Sequence, residues 1–287
     1  MSDVSVGLDD LPRYSAWPAR LLGLEPWQPK RKTRDEVLRE FDREKWGSLL
    51  DQAQRASTPP TLEDVVLWSL EGIPPSLVSV GDRWEVLSAA ESRTRYIEVV
   101  ASELRKYAPA SALLELGAGF GSVLFALARQ EPFSKMSICG GELTESGRAL
   151  LALIAKGAGL DWTLGLSDLG AARVLDVAVP EQAIVFTSYA VHYLQEVTGE
   201  LFAALASLKP RVVVHFEPCF EHCDETSLLG LLRRRYIEVN DYNRNFVHAL
   251  LAEERKGTLR VIEQRPAVFG GNPLLAASVL AWEPRSR

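Results

Sequence analysis

The chain has 287 residues, 47% hydrophobic and 24% charged, with a formal net charge of −6 at pH 7. That composition fits a globular protein with one large domain and a smaller attachment, able to bury a core without staples. The acidic balance and the shortness of its one basic run, Arg233-Arg234-Arg235, exclude an electrostatic nucleic-acid footprint. Met1 to Pro12 has no apolar core preceded by positive charge, and no apolar stretch approaches about 18 residues, so neither export nor a membrane partner is expected. Three cysteines, an odd number in a chain this long, argue against a disulfide framework and fit a cytoplasmic location.

Residues 1 to about 30 are punctuated by Pro12, Pro18, Pro26 and Pro29. With Trp17 and Trp27 among them, they read as an ordered arm without a long regular element. Thr33 caps a predicted helix to about Ala53, with Leu38, Phe41, Trp46, Leu49 and Leu50 on one half of its circumference. Ser57-Thr58-Pro59-Pro60 breaks the chain, a helix restarts over Thr61 to Glu71, and Gly72-Ile73-Pro74-Pro75 ends it. A further helix from about Glu91 to Tyr107 carries Ile97, Val100, Leu104 and Tyr107 on one stripe. The chain therefore divides into an N-terminal arm and helical attachment, residues 1–90, and a main domain, residues 91–287.

The main domain is organised around Leu113-Leu114-Glu115-Leu116-Gly117-Ala118-Gly119-Phe120-Gly121-Ser122. The apolar run reads as a buried strand over Ala112 to Leu116, and Leu124, Leu127 and Ala128 have helical spacing beyond the turn. Glycines at 117, 119 and 121 supply positive φ and remove the Cβ atoms that would hold a ligand off the backbone. A dinucleotide fingerprint wants a third glycine where Ser122 stands. The spacing is Glu-x-Gly-x-Gly-x-Gly, and here the chain resembles the class I S-adenosylmethionine-dependent methyltransferases, over roughly Glu91 to Pro284. The resemblance implies a loop of Glu115, Gly117, Ala118, Gly119 and Gly121 around the methionine part of S-adenosyl-L-methionine, with Glu115 near its ammonium.

A second strand, Met136 to Gly141, ends at Glu142 with Leu143 beside it. An acid there meets ribose hydroxyls, or else is a solvated acid near the helix from about Glu145 to Ala155. After a third strand, Trp162 to Leu166, the resemblance sets Asp168 beside the adenine amine and Leu169 next to it; alternatively Asp168 caps a turn. Ala183 to Thr187 is a fourth strand, followed by Ser188-Tyr189-Ala190-Val191-His192-Tyr193. The resemblance puts Ser188 at the methionine end of the cofactor, and Tyr189, His192 and Tyr193 near the acceptor. His192 is the candidate general base, with orientation of substrate or plain packing as alternatives.

Arg211 to Phe216 is a fifth strand, and Glu217 and Glu221 beyond it could hold a cationic acceptor at the rim. His215, Cys219, His222 and Cys223 match no zinc spacing, and no metal is expected. Tyr236, Asn240, Asp241 and Tyr242 lie in a polar segment that could orient a small acceptor, or could cap a helix through Leu251 at Asn240 or Asp241. Strands over Leu259 to Glu263 and Ala276 to Trp282 close the chain. The expected fold is α/β, a Rossmann-like doubly wound seven-stranded sheet with an antiparallel last strand, plus the N-terminal helical region, which in this fold commonly joins the substrate lid, with an oligomer contact or plain packing as alternatives.

The function implied is in-line methyl transfer to a small molecule: an amine, amino acid, guanidino compound or specialised metabolite. A peptide or protein acceptor, a non-catalytic nucleotide-binding module and a nicotinamide oxidoreductase are the alternatives, and a second copy of the chain is kept as a partner.

Overall fold

Nine strands among the described residues form one sheet: β1 Ser76–Val80, β2 Arg83–Leu87, β3 Ala112–Leu116, β4 Ser137–Glu142, β5 Thr163–Leu166, β6 Ile184–Ser188, β7 Val212–Pro218, β8 Leu259–Gly270 and β9 Ala277–Pro284. The computed structural model describes residues 6–28 and 31–285. The spatial order is β2-β1-β8-β9-β7-β6-β3-β4-β5. β7, β6, β3, β4 and β5 run parallel, while β9 enters antiparallel beside β7 and β8 pairs antiparallel beyond it. The fold is thus a doubly wound, Rossmann-like α/β sheet with an antiparallel closing hairpin.

β3 is buried on both faces, which is why it reads as an unbroken apolar run instead of an alternating one. Leu114 and Leu116 join Val185, Val213 and Leu280 on one face, and Leu113 joins Ile184, Phe186 and Val214 on the other. The helix Ala89–Arg105 covers the second face with Ile97, Val100 and Leu104 buried, and begins with a reciprocal Ser88–Glu91 capping box. Successive connections place β4 and β5 to one side of β3 and β6 and β7 to the other. The sheet's switch point therefore lies between β3 and β6, where open α/β sheets leave a crevice outside the carboxyl ends of the strands.

The first two strands add to the seven expected. β1 and β2 form a hairpin turned at Gly81-Asp82, with Gly81 at φ +58°, and β1 pairs with β8 at Ser79↔Gly270 and Val80↔Phe269. The sequence signal was Val80-Gly81-Asp82-Arg83, a two-residue turn of the kind that hairpins select. β8 runs on past Glu263 to Gly270 despite Pro266. The sheet accommodates the proline through a register shift between Arg265 and Phe269, with Ala267 at φ +51°.

The single helix expected from Thr33 to about Ala53 has three parts. Thr33 Oγ1 accepts from the Glu36 N–H at the start of Arg34–Leu38, a π-helical stretch Arg39–Lys45 follows, and Trp46–Arg55 is α-helical again. The wide turn depends on Gly47, where a Cβ would lie 2.6 Å from the Asp42 carbonyl oxygen. In the arm, Trp17 packs edge-on between Trp27 and Tyr236, each 4.5 Å away. Pro29 lies outside the described residues, as do 1–5, 30, 286 and 287.

The polar segment differs from expectation. Asn240 is the C-cap of Leu228–Val239 and Asp241 has φ +55°, while the next helix starts only at Phe246 and runs to Lys256. Asn243 and Asn245 spend their side chains instead on the Leu194 carbonyl and on both backbone groups of Val197, tying down the loop after β6.

His215 in β7 lies within the core: Trp282 Nε1 donates to its Nε2 at 3.0 Å, and its Nδ1 lies 2.9 Å from Thr187 Oγ1. Burial lowers its pKa from 6.5 to about 4. The neutral ring therefore contributes stability in full above pH 6.5, and that contribution drains away as pH falls towards about 4. Histidine ring NMR should show His215 unprotonated at pH 5, with the urea midpoint falling between pH 6.5 and 4; a ring titrating near 6.5 would contradict the assignment.

Candidate active site

The turn between β3 and the helix Ser122–Ala128 holds Gly117, Gly119 and Gly121 at φ +78°, +55° and +83°. All three are in the left-handed region that favours glycine. A Cβ on Gly117 would sit 2.5 Å from Ala190 Cβ, one on Gly119 would meet Trp46 at 2.9 Å, and one on Gly121 would meet Leu151 at 2.5 Å. The space a side chain would need at each glycine is therefore taken by the protein itself.

The backbone amides of this turn are largely committed. Those of Gly117 and Ala118 donate to the Gly141 carbonyl, that of Gly121 to Ala118, that of Gly119 to Glu142 Oε2 at 2.8 Å, and that of Leu124 to Glu115 Oε2 at 3.1 Å. Glu115 thus places a buried carboxyl against the start of the helix, where a dinucleotide site presents open amides to a pyrophosphate. Burial holds that carboxyl well above the ordinary range; the Leu124 N–H opposes the shift and nearby Glu142 adds to it. Glu142 also accepts from the Thr144 N–H and Oγ1 at 2.9 and 2.7 Å through Oε1, so it joins the glycine turn to the cap of the helix Glu145–Gly157.

Beside this turn lies a cavity of about 510 Å³, within the roughly 300–1,000 Å³ typical of small-molecule sites. Glu115, Gly117, Ala118, Gly119, Glu142, Leu143, Asp168, Leu169, Ser188, Tyr189 and Tyr193 all line it, so the carboxyl ends of four parallel strands open onto one space. Ser188 Oγ is 2.7 Å from Tyr96 OH, and Tyr189, at φ +51°, donates its hydroxyl to the Leu275 carbonyl.

The remaining expected residues are elsewhere. Gly121 does not line the cavity. Glu217 is not at the rim: fully buried at the end of β7, it accepts from the amides of Ala190, Val191 and His192 and lies 3.2 Å from His192 Nδ1. It closes the turn after β6 from behind. His192 is also buried off the cavity wall, its pKa lowered chiefly by burial, with no hydrogen-bond partner for Nε2 among the described residues. Glu221 accepts from the His248 amide, outside the cavity. Tyr236 packs on Trp17, Asn240 Nδ2 donates to the Tyr236 carbonyl, Asp241 accepts from the Lys32 amide, and Tyr242 packs edge-on to Tyr193 behind the wall.

Lys32, Arg34, Val37, Phe41 and Trp46 form part of the same wall, and none of these had been singled out as a site residue. They belong to a strap of 31–46 that crosses the cavity. Asp42 fastens it by accepting from the Ser146 amide at 2.8 Å, and Arg34 reaches Asp168 Oδ2 at 2.8 Å. Asp168 also caps its own turn by accepting from the Ala171 amide. The signal in the sequence was the apolar stripe of Phe41 and Trp46, which announces burial without naming what is buried.

No protein-family model matches the chain, and no curated protein sequence does. Among solved structures, a small RNA methyltransferase aligns with 70% of this chain at 16% identity and TM-score 0.49, but the match spans only 26% of that protein. A magnesium protoporphyrin IX methyltransferase from Synechocystis PCC 6803 aligns with 68% of this chain and 81% of its own, at 13% identity and TM-score 0.46. A geranyl diphosphate methyltransferase aligns with 83% and 98%, at 12% identity and TM-score 0.49.

Gly119→Ala should destabilise the fold by about 1–3 kcal/mol, through its positive φ and the contact with Trp46. In urea denaturation the cost should be smaller when Trp46 is also Ala; equal costs in the two backgrounds would mean that the Trp46 contact carries nothing.

Proposed function

We propose that the chain is an S-adenosylmethionine-dependent methyltransferase acting on a small molecule. The observation that carries this is the chemistry of the glycine turn: a buried carboxyl at the start of its helix and amides already spent on protein acceptors. A pyrophosphate would meet carboxyl groups there with few free amides to receive it, whereas a ligand presenting an ammonium and hydroxyls would meet acceptors. Glu115 would take the ammonium. Glu142 has used about three of its roughly four lone-pair positions, and the last, on Oε2, suits a ribose hydroxyl. Asp168, shared with Arg34, would receive the adenine amine.

When bound, S-adenosylmethionine supplies a methyl group on an electrophilic sulfonium and departs as S-adenosylhomocysteine. The protein's part is alignment and exclusion of water, a contribution that can reach roughly 7–11 kcal/mol. Phe41, Trp46, Phe120 and Tyr193 give the cavity an aromatic wall for the acceptor, and a volume of about 510 Å³ suits a small molecule. His192, off that wall and in contact with Tyr193, orients the tyrosine in this reading, and Glu217 holds the turn that carries both.

Calorimetry should show S-adenosylhomocysteine binding and no saturation by a nicotinamide dinucleotide; the reverse result would end the proposal. Glu142→Ala should weaken S-adenosylhomocysteine at least tenfold, about 1.4 kcal/mol, and unchanged affinity would remove the ribose assignment.

A further inference from the structure

One cation in the cavity wall has surroundings that a structural lysine does not need. Lys32 is 6% exposed, and its Nζ lies 2.7 Å from Glu40 Oε2, 5.3 Å from the centre of the Tyr193 ring and 5.5 Å from that of Tyr242. The two rings meet edge-on at 88°, so the ammonium is held by two aromatic faces and a carboxylate. His192 packs against both rings, with centroids 4.0 and 4.9 Å away. Glu40 keeps its charge well into acid, its carboxyl lowered to about 2 because the bonds from Lys32 and Lys45 outweigh burial. The lysine backbone is fixed separately, its amide donating to Asp241 Oδ2 at 3.0 Å. The side chain can therefore swing out without the strap coming loose.

We propose that Lys32 is a placeholder, and that the acceptor carries an ammonium group which takes its position between Tyr193, Tyr242 and Glu40. The inference rests on the reading of the cavity as a methyl-transfer site and narrows its substrate class to cationic amines. Replacing one ammonium by another leaves the buried charge unchanged, so the exchange costs no new unpaired ion. A neutral acceptor in that place would leave Glu40, whose side chain is 25% exposed, with Lys45 on Oε1 but without the ammonium on Oε2. The caged nitrogen keeps its proton and has no lone pair to offer, so it serves as a handle, and a different atom of the acceptor is the one methylated.

The test uses binding as its readout. n-Butylammonium and the neutral 1-butanol are titrated calorimetrically into the parent chain and into Lys32→Met, each with and without S-adenosylhomocysteine. Lys32→Met should bind n-butylammonium at least tenfold more tightly than the parent, with no gain for 1-butanol, and adding Glu40→Gln should remove the gain. No gain for the amine, or an equal gain for the alcohol, overturns the proposal. Because the unloaded chain is titrated too, failure to bind S-adenosylhomocysteine would count against the methyltransferase reading alone. Should Lys32→Met not fold, the parent chain still decides: tetramethylammonium should raise acetic-anhydride labelling of Lys32 several-fold by mass spectrometry where tert-butanol does not, and unchanged labelling refutes the idea.

Discussion

Everything at the site follows from the close approach of two turns at the sheet's switch point. The turn after β3 and the turn after β6 come together where a Cβ on Gly117 would stand 2.5 Å from Ala190. Any side chain at residue 117 would pry β3 and β6 apart at their carboxyl ends, and with them the walls of the cavity. The second turn is held in place from beneath by Glu217, which gathers three consecutive amides and an imidazole nitrogen. Burial works against that carboxylate's charge, but the imidazole and the amides outweigh it and keep its pKa below the ordinary range. Hydrogen bonds to a charged group contribute about 1.5–3 kcal/mol each, enough in combination to offset a burial penalty of several kcal/mol. The residue expected to receive an acceptor is instead the one that fixes where the wall of the cavity stands.

The strap is the second determinant. Its π-helical turn brings Phe41 and Trp46 onto the cavity and lets Asp42 cap the helix Glu145–Gly157. Trp46 then fills the space above Gly119, so the glycine turn and the strap each need the other's shape. A cavity built in this way is jointly made by residues more than seventy positions apart in the sequence.

The core of the fold was legible because buried parallel strands write themselves as short apolar runs, and β3, β4, β6 and β7 are of that kind. β1 was harder to see because Pro74-Pro75 precedes it, and the end of β8 because Pro266 interrupts it. The residues lining the cavity from the parallel strands could be named since each stands just past a strand's carboxyl end, a position that topology alone makes functional. Tyr236, Asn240 and Tyr242 look in sequence like a polar binding surface, but their hydrogen bonds and ring contacts are with the protein. Sequence shows that such groups want partners, and only the fold says whether those are a ligand or the backbone next door. Lys32 went unremarked because a lone lysine carries no pattern; its meaning comes from two tyrosines about 160 and 210 positions away.

The hairpin β1–β2 has a bearing on how the molecule can be divided. By pairing β1 with the end of β8 at Phe269 and Gly270, residues ahead of the main sheet shield backbone groups there that would otherwise be open to pairing with another chain. Cutting the polypeptide before the helix Ala89–Arg105 would strip off the strap and also bare the end of β8 at Phe269 and Gly270, where β1 pairs with it. Although its attachment comes first in sequence, the sheet is finished only when that early segment and the late strand meet.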